Sequence, residues 1–370
     1  MYEILREGHF KTVGTSFSNN CDHVFYEIAE WASEICRATV NEFMHQGNYK
    51  IIRTEEKPHD AIHKGVGIPW LIKLIIKWLR GKFLYLFIYE QWNIGYIESS
   101  LEKVMQQKRL SKIVWLFPKK KEAFYADPFI IKNGAYTYIF GEKYVFKKRG
   151  AKIFSARLEQ GKIKEETDVF LNVRHHVSYP CIFEWEDNLF LCLEEWKTRT
   201  ISLYKAIDFP VGWIKLTTLI DNIDAVDPTV FRHNGLWWLF FTKKSDEPET
   251  KLFAYYSKDL LGDWEPHKRN PIKIDVRSSR PAGKIFCYKG QLIRPSQDCS
   301  RFYGWRIALN KIVHLSPYYF EEETIKTIDA SGFRHYNKGT HTFNHLGNYI
   351  ILDGLRYFFS FKKPLRKIII

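Results

Sequence analysis

Residues 226–241, VDPTVFRHNGLWWLFF, have the pattern of a β-hairpin: one apolar run follows Pro228, Asn234-Gly235 forms a turn, and a second apolar run completes the pair. Four other segments repeat this pattern. They are 125–140 (YADPFIIKNGAYTYIF), 178–192 (SYPCIFEWEDNLFLC), 280–294 (RPAGKIFCYKGQLIR) and 339–352 (GTHTFNHLGNYIIL). The repeat recurs about every 50 residues, which suits one four-stranded propeller blade. We therefore predict an all-β fold, a five-bladed β-propeller over residues 90–356 with an N-terminal helical segment.

The runs between these hairpins supply the outer strands of the blades. Three of them are rich in aromatic and β-branched residues, as strands are. They are Lys152–Leu158, Ile201–Ala206 and Leu252–Ser257.

The chain before residue 90 has a different periodicity. Apolar residues of 23–45 recur at helical spacing, so we predict a helical or mixed region over 1–67. Residues 68–89, IPWLIKLIIKWLRGKFLYLFIY, contain four basic residues, which argues against a membrane-spanning helix. We predict a basic amphipathic helix at an anionic membrane surface; a core-packed helix with a solvated basic stripe is the alternative. Residues 357–370 are predicted to be a basic C-terminal tail.

The composition is that of a folded globular protein, with 45% hydrophobic and 26% charged residues. Aromatic residues make up 16%, which suits either a packed core or stacking on sugar rings. The six Cys residues form no CxxC pair and the N-terminus lacks an apolar signal core, so we expect free thiols and a cytoplasmic location at the inner face of the cytoplasmic membrane. The net charge of +14 favours an anionic partner, whereas no zinc-finger or RNP-type motif supports nucleic acid binding.

The first residues of the five inner strands should converge at one end of the central channel. They are Asp127, Tyr179, Asp227, Arg280 and His341. Two carboxylates, an Arg and a His around one axis exceed what core packing requires, so a site is predicted there. The alternative is that Asp127 and Asp227 cap turns, since Asp before Pro is a common turn element.

A second polar set lies at the ends of the second strands and near the mouth of the channel. It comprises Glu142, His176, Glu194, Glu195, Arg294, Gln297 and Asp298. Because neighbouring strand residues face opposite sides, we expect one of Glu194 and Glu195 to face inward and the other outward.

Eleven short elements resemble one family. They are WNIG (92–95), YADPF (125–129), HHVSYP (175–180), LYKAIDFPVGW (203–213), VDPTVF (226–231), WWLF (237–240), GDWEPHKRNPI (262–272), RPAGKIF (280–286), RPSQDC (294–299), YG (303–304) and GTHTFN (339–344). They are similar to the N-terminal propeller domain of plant glucosamine inositolphosphorylceramide transferases and its bacterial relatives, over residues 90–355. That domain resembles in turn the propellers of glycoside hydrolase family 43 and the levansucrase group. The resemblance implies work on cell-surface polysaccharide, lipopolysaccharide or glycolipid.

The hydrolase resemblance implies roles for individual residues. Asp127 matches the general base, and Asp227 matches the carboxylate that orients substrate. The general acid of that family opens the fourth inner strand, where this chain has Arg280. Glu194, Glu195 and Asp298 are the candidate substitutes for this acid, because inverting hydrolysis needs two carboxyl groups. Arg280 and His341 are predicted to bind an anionic group and Tyr179 to stack on a sugar.

Two main functions remain open from the sequence. The first is a carbohydrate-active protein that transfers or cleaves a glycosyl unit from a lipid-linked or nucleotide sugar at the axial pocket. The second is a non-catalytic glycan-binding propeller that assists a separate glycosyltransferase, and a purely structural propeller is the third. No Walker loop, GxGxxG, GxSxG, HExxH or DxD motif appears, so no metal and no cofactor are predicted.

Overall fold

The structure, a computed structural model, describes residues 3–6, 9–12, 76, 87–117, 123–146 and 150–359. The predicted helix 68–89 and tail 357–370 therefore lie almost entirely outside the described residues. Where they are described, Ile76 and Phe87 are helical, whereas Ile88, Tyr89 and residues 357–359 belong to strands. Near the N-terminus, β1 (Glu3–Arg6) and β2 (His9–Thr12) form an antiparallel hairpin.

Five antiparallel sheets follow one another around the propeller, which confirms the predicted fold. Blade one contains β5 (Ala123–Asn133), β6 (Tyr136–Val145), β7 (Gly150–Glu159) and β8 (Lys162–Asp168). Blade two contains β9 (Ser178–Trp185), β10 (Asn188–Glu194), β11 (Thr200–Asp208) and β12 (Gly212–Asp221). Blade three contains β13 (Ala225–His233), β14 (Leu236–Lys243), β15 (Lys251–Ser257), β16 (Glu265–Pro266) and the short β17 (Lys273–Ile274). Blade four contains β18 (Phe286–Tyr288), β19 (Gln291–Asp298), β20 (Arg306–Leu315) and β21 (Phe320–Asp329).

Blade five is built from both ends of the propeller sequence. Its inner strands are β22 (Phe343–Leu346) and β23 (Tyr349–Phe359), and its outer strands are β3 (Ile88–Glu98) and β4 (Val114–Trp115). This pairing closes the ring. The short helix α1 (Leu101–Gln106) joins the outer strands, with Ser100 as its N-cap. No helix in the described part of the chain is long and apolar enough to cross a membrane.

The repeated hairpins form for the local reason that the sequence predicts. Asn234 and Gly235 have φ of 49° and 78°, the left-handed pair that a tight two-residue hairpin turn requires. Phe240 and Leu239 on the strand that follows have no exposed surface. Burial of such alternating apolar faces between neighbouring blades stabilises the ring and holds the inner strands around the axis.

Candidate functional site

Three inner strands begin with the same unusual backbone. Asp127, Tyr179 and Asp227 each precede a proline and have φ of 50°, 48° and 52°. In blades one and three the pairing skips from Ala126 to Phe129 and from Val226 to Thr229. Proline cannot donate to the ladder, so the strand bulges there. A bulge changes the direction of the side chain, and left-handed backbone at a residue other than Gly is strained, which is typical of functional positions.

Asp227 is held by three neighbours. The Nε atom of Arg280 donates to its Oδ2 at 2.6 Å, and Nε2 of Gln297 donates to the same oxygen at 3.0 Å. Its backbone N–H donates to Oε2 of Glu194 at 3.1 Å. All four side chains are buried. The carboxylate therefore has a fixed orientation and a compensating charge.

Asp127 lies beside a buried imidazole. Oγ1 of Thr342 donates to its Oδ1 at 3.1 Å, and Nε2 of His341 lies 3.5 Å from that oxygen. On its other side, Nδ1 of His341 contacts Oδ2 of Asp353, whose Oδ1 accepts the backbone N–H of His341 at 2.8 Å. Trp92 stacks on the imidazole with 4.1 Å between ring centroids. The ring is thus fixed between two carboxyl groups.

Burial separates the pKa values of the acidic side chains. Desolvation, with the charge of Asp227, raises the pKa of Glu194 to about 8. Desolvation raises the pKa of Asp127 to about 6, and that of Glu142 well above its ordinary range, with repulsion from Asp127 adding to it. Burial opposes charge on His341, but Asp353 and Asp127 outweigh it and raise its pKa. Near neutral pH, Glu194 and Glu142 hold protons while Asp127 is mostly ionised.

An aromatic side chain covers this cluster. The guanidinium of Arg280 lies 4.7 Å from the ring centroid of Tyr303, whose edge faces His341 with 5.4 Å between centroids. Tyr303 is 38% exposed, whereas Asp127 is 6% exposed. Gly304 follows with φ of +71°, and a Cβ there would lie 2.6 Å from the Trp92 ring. A ligand that approaches the axis therefore meets Tyr303 before it reaches the carboxyl groups.

Comparison with known proteins places the chain in a family. The family described as "Glucosamine inositolphosphorylceramide transferase 1, N-terminal" matches residues 117–351. The chain belongs to this family. Glucosamine inositolphosphorylceramide transferase 1 of Oryza sativa subsp. japonica is 34% identical over 227 residues, which cover 60% of this chain and 30% of the rice protein. The Arabidopsis thaliana protein of the same name is 34% identical over 232 residues, covering 60% of this chain and 29% of the plant one. The chain thus spans less than a third of the length of these relatives.

Solved structures with related architecture share little sequence. A family 117 glycoside hydrolase of Zobellia galactanivorans is 14% identical with a TM-score of 0.45, and the match covers 72% of this chain and 90% of that one. An exo-β-1,3-galactanase of Clostridium thermocellum is 12% identical with a TM-score of 0.45, covering 57% of this chain and 52% of that one. The propeller assignment therefore rests on the five sheets themselves.

In this chain, the second strands supply carboxyl groups to the axis. Glu142 and Glu194 pair with Ala126 and Ser178, the residues directly before Asp127 and Tyr179. Glu195 faces the other way, and its Oε1 accepts from Tyr204 at 2.8 Å and lies 2.7 Å from Nε2 of His175. The predicted alternation of Glu194 and Glu195 is confirmed. Of the two, only Glu194 is placed to act with Asp127.

Four predicted binding residues lie outside the axial cluster or beneath it. Tyr179 has no exposed surface, and its hydroxyl bonds Thr229 at 2.9 Å and Gly283 N–H at 2.7 Å, so it offers no face to a sugar. Arg294 pairs with Glu322 at 2.8 Å, within blade four. The other two are likewise engaged elsewhere: Asp298 accepts from Arg306 at 2.7 Å, and Nδ1 of His176 accepts the Ala151 N–H at 3.2 Å.

Several residues of the site escaped the sequence prediction as site residues. Trp92, Thr342 and Asp353 are buried around Asp127 and His341. Asp353 directly follows the last hairpin repeat, and Glu142 and Glu194 each lie two residues after the end of theirs, so this shared place was the available signal. For Tyr303, the only sequence signal of a role in the site was its place in the YG motif (303–304).

One group of described residues has the donor atoms of a cation site. The donor atoms of Asp127, His341 and Asp353 all lie within 4.8 Å of one another. Two carboxylates and an imidazole suit a divalent cation. In this arrangement, however, Asp353 already accepts the backbone N–H groups of His341 and Thr342, at 2.8 and 3.2 Å.

Proposed function

We propose that this chain is a carbohydrate-active propeller of cell-surface polysaccharide or glycolipid biosynthesis, which transfers or cleaves a glycosyl unit at the axial cluster. The observation that carries the proposal is the pair formed by Glu194 and Asp127. These two buried carboxyl groups border the same Asp227, and their pKa values are about 8 and about 6. Different pKa values in one site are what an acid and a base need to work at the same pH.

The proton transfers follow from these protonation states. Glu194 donates its proton to the oxygen that leaves the anomeric carbon. Asp127, positioned by His341 and Thr342, accepts the proton of the attacking hydroxyl, which comes from water in cleavage or from an acceptor sugar in transfer. Asp227, bonded to Arg280, orients the substrate.

The charge of the cluster favours an amino sugar over an anionic one. Six carboxyl groups surround the axis, of which Glu142 and Glu194 hold protons near neutral pH and the other four are Asp127, Asp227, Glu249 and Asp353. The cationic side chains are Arg280 and His341. Arg280 is already bonded to Asp227 at 2.6 Å and to Glu249 at 3.3 Å. Its positive charge is therefore compensated by these carboxylates and is not free to bind an anionic ligand. A protonated amine fits this surplus, and the plant relatives are named for glucosamine.

The test follows glycans by mass spectrometry. The purified chain is incubated with a lipid-linked oligosaccharide extract and a nucleotide-sugar mixture. A gain in mass that Asp127→Asn and Glu194→Gln both lose supports transfer, and a loss of mass supports cleavage. Glu195→Gln is the matched control, because it removes the neighbouring carboxylate on the other face of the strand. Equal products from all variants would overturn the assignment of Glu194 and Asp127.

A second candidate is a glycan-binding propeller that assists a separate glycosyltransferase. It is favoured by Arg280, which stands at the fourth inner strand where the resembling hydrolases carry their acid. In that case no mass changes, but sugar binding weakens in Asp127→Asn.

We also propose that the chain acts at the inner face of the cytoplasmic membrane. The basic segment 68–89 supports this, since its spacing suits an interfacial helix. Lipid-linked or nucleotide sugars, including those of lipopolysaccharide, are the substrates we expect there. Flotation of wild type and Lys73→Glu/Lys77→Glu with anionic vesicles tests the contribution of this segment.

A further inference from the structure

The end of the propeller where the axial cluster lies carries exposed cations. Because blade strands alternate in direction, the loops after each second strand and those leading to each inner strand lie at this end. We call their described residues the mouth face: 169–177, 195–199, 222–224, 244–250, 275–285, 299–305 and 330–342. Its exposed basic side chains are Arg174, Lys197, Arg199, Lys244, Arg301, Arg334 and Lys338.

Acidic side chains of the mouth face are paired with neighbouring groups, although those of Asp246 and Glu249 are each 39% exposed. Lys251 pairs with Asp246 at 2.6 Å, Arg277 with Asp275 at 2.8 Å, and Ser245 N–H donates to Asp224 at 2.7 Å. No acidic residue on these described loops is fully exposed. Exposed carboxylates at nearby outer strand ends are Asp168, which pairs with Lys152, and Asp221. The surface field around the mouth is therefore positive, although the axial cluster beneath is acidic.

Aromatic side chains accompany these cations. Phe302 and Tyr303 are 39% and 38% exposed and follow Arg301. The guanidinium groups of Arg301 and Arg306 lie 4.4 and 4.1 Å from the ring centroid of Trp305. An arginine side chain has an apolar stem and a charged tip, and aromatic rings add apolar surface beside it. This combination suits the boundary between water and lipid.

The combination of basic side chains and an aromatic ring recurs around Trp196. The ammonium groups of Lys197 and Lys244 lie 5.5 and 5.9 Å from the ring centroid of Trp196. The opposite end of the propeller exposes both signs of charge, with Glu186, Asp187 and Asp263 beside Lys132, Lys258 and Lys289. On the described loops of the mouth face, by contrast, every charged residue that is fully exposed is basic.

We propose that the mouth face docks on an anionic lipid bilayer. Exposed Lys and Arg side chains supply attraction to acidic headgroups, and Phe302 and Tyr303 enter the interfacial layer. Exposed rings favour a bilayer over a purely polar polyanion, because only the bilayer offers an apolar layer. Docking places Tyr303, and the carboxyl groups that it covers, against the headgroups. The inference does not depend on the sugar chemistry, so it can hold even if the axial cluster is not catalytic.

An environment-sensitive fluorophore tests the orientation directly. The label is attached to Phe302→Cys in the full chain, with Cys21, Cys36 and Cys287 replaced by Ser. A matched label sits on Ala135→Cys, in the exposed β5–β6 turn at the opposite end. Vesicles of phosphatidylcholine with about a third phosphatidylglycerol should shift the emission at 302 to shorter wavelength and leave the label at 135 unchanged. Pure phosphatidylcholine vesicles should shift neither.

Charge reversal tests the cations. Lys197→Glu/Lys244→Glu/Lys338→Glu should weaken binding to the anionic vesicles at least about tenfold at 0.1 M salt. Lys132→Glu/Lys162→Glu/Lys258→Glu makes the same charge change on exposed lysines at the opposite end and should cost at most about twofold. Circular dichroism checks that both variants fold.

Three outcomes would overturn the proposal. Equal weakening by both triple variants would mean attraction by net charge alone. Binding abolished by Lys73→Glu/Lys77→Glu, with no shift at 302, would assign the membrane contact to segment 68–89. Tighter binding to duplex DNA than to the vesicles, lost in the mouth-face variant, would assign the surface to nucleic acid.

Discussion

The backbone N–H of Asp227 donates a hydrogen bond to Oε2 of Glu194 at 3.1 Å. Glu194 ends the second strand of blade two, and Asp227 opens blade three. The bond therefore fixes a proton-bearing carboxyl group of one blade against the carboxylate of the next. Because Oε2 accepts this bond, the proton of neutral Glu194 belongs on Oε1.

Replacement of Glu194 by Gln should abolish acid catalysis without unfolding the protein. The amide oxygen of Gln still accepts the Asp227 N–H, but the side chain has no proton to donate at the pH of the reaction. We expect turnover of the glycan found by mass spectrometry to fall about 10²- to 10⁴-fold. Substrate binding should change far less. A variant that keeps wild-type turnover would contradict the role of Glu194.

Stability should fall as the pH rises, because the buried acids are held neutral. The pKa of Glu194 is about 8 in the folded protein against 4.5 for an ordinary Glu, so the folded state binds more protons between these pH values. Asp127 contributes with the same sign between 3.8 and about 6. His176 and His267, whose pKa values are lowered to about 4 by burial, act with the opposite sign up to pH 6.5, so the free energy of unfolding should drop by about 1 kcal/mol or more from pH 6.5 to pH 8. Urea titrations at each pH measure it.

Glu194→Gln provides the control for this pH dependence. A neutral amide removes the contribution of Glu194, so the slope above pH 6 should become shallower. An unchanged slope would show that other groups cause it.

The hairpin repeat predicted all five blades because a β-hairpin is encoded locally. Turn residues such as Asn234-Gly235 and the apolar runs beside them carry the whole signal. Closure of the ring was not predictable in the same way. It depends on the pairing of β3 with β23, which are far apart in sequence. The residue pattern of each strand does not indicate which other strand it pairs with.

Site residues were predicted correctly where their place in the hairpin repeat defined them. They were missed where the strand register decides which of two neighbouring residues faces the axis. Asp127 and Asp227 were found because each starts a repeat. Gln297 faces the axis, whereas Asp298, next to it, bonds Arg306. Neighbouring strand residues face opposite sides, so these two could not both serve the site. Which one does depends on the register of β19 against β20, which sets Gln297 opposite Ile307 and Asp298 opposite Arg306.

Loss of Arg280 should destabilise the protein strongly. Arg280→Gln leaves buried Asp227, which is 3% exposed, without its guanidinium partner. Removal of one member of a buried ion pair costs about 3–5 kcal/mol. Lys268→Gln is the matched control, since its pair with Glu265 at 3.6 Å is exposed and should contribute less than about 1 kcal/mol. Urea denaturation of both variants at pH 7 measures the difference, and similar values would refute a structural role for the pair.

Gly304→Ala should disturb the site by moving Trp92. Both Gly304 and Gly235 have positive φ, of +71° and +78°, so alanine carries similar backbone strain at either position. At Gly235 no atom lies within 4 Å of the added Cβ, whereas at Gly304 the Trp92 ring lies at 2.6 Å. We expect Gly235→Ala to cost about 1 kcal/mol and Gly304→Ala clearly more, with lower turnover because Trp92 no longer stacks on His341. Equal stability and activity in the two variants would mean that the Trp92–His341 stack does not position the imidazole.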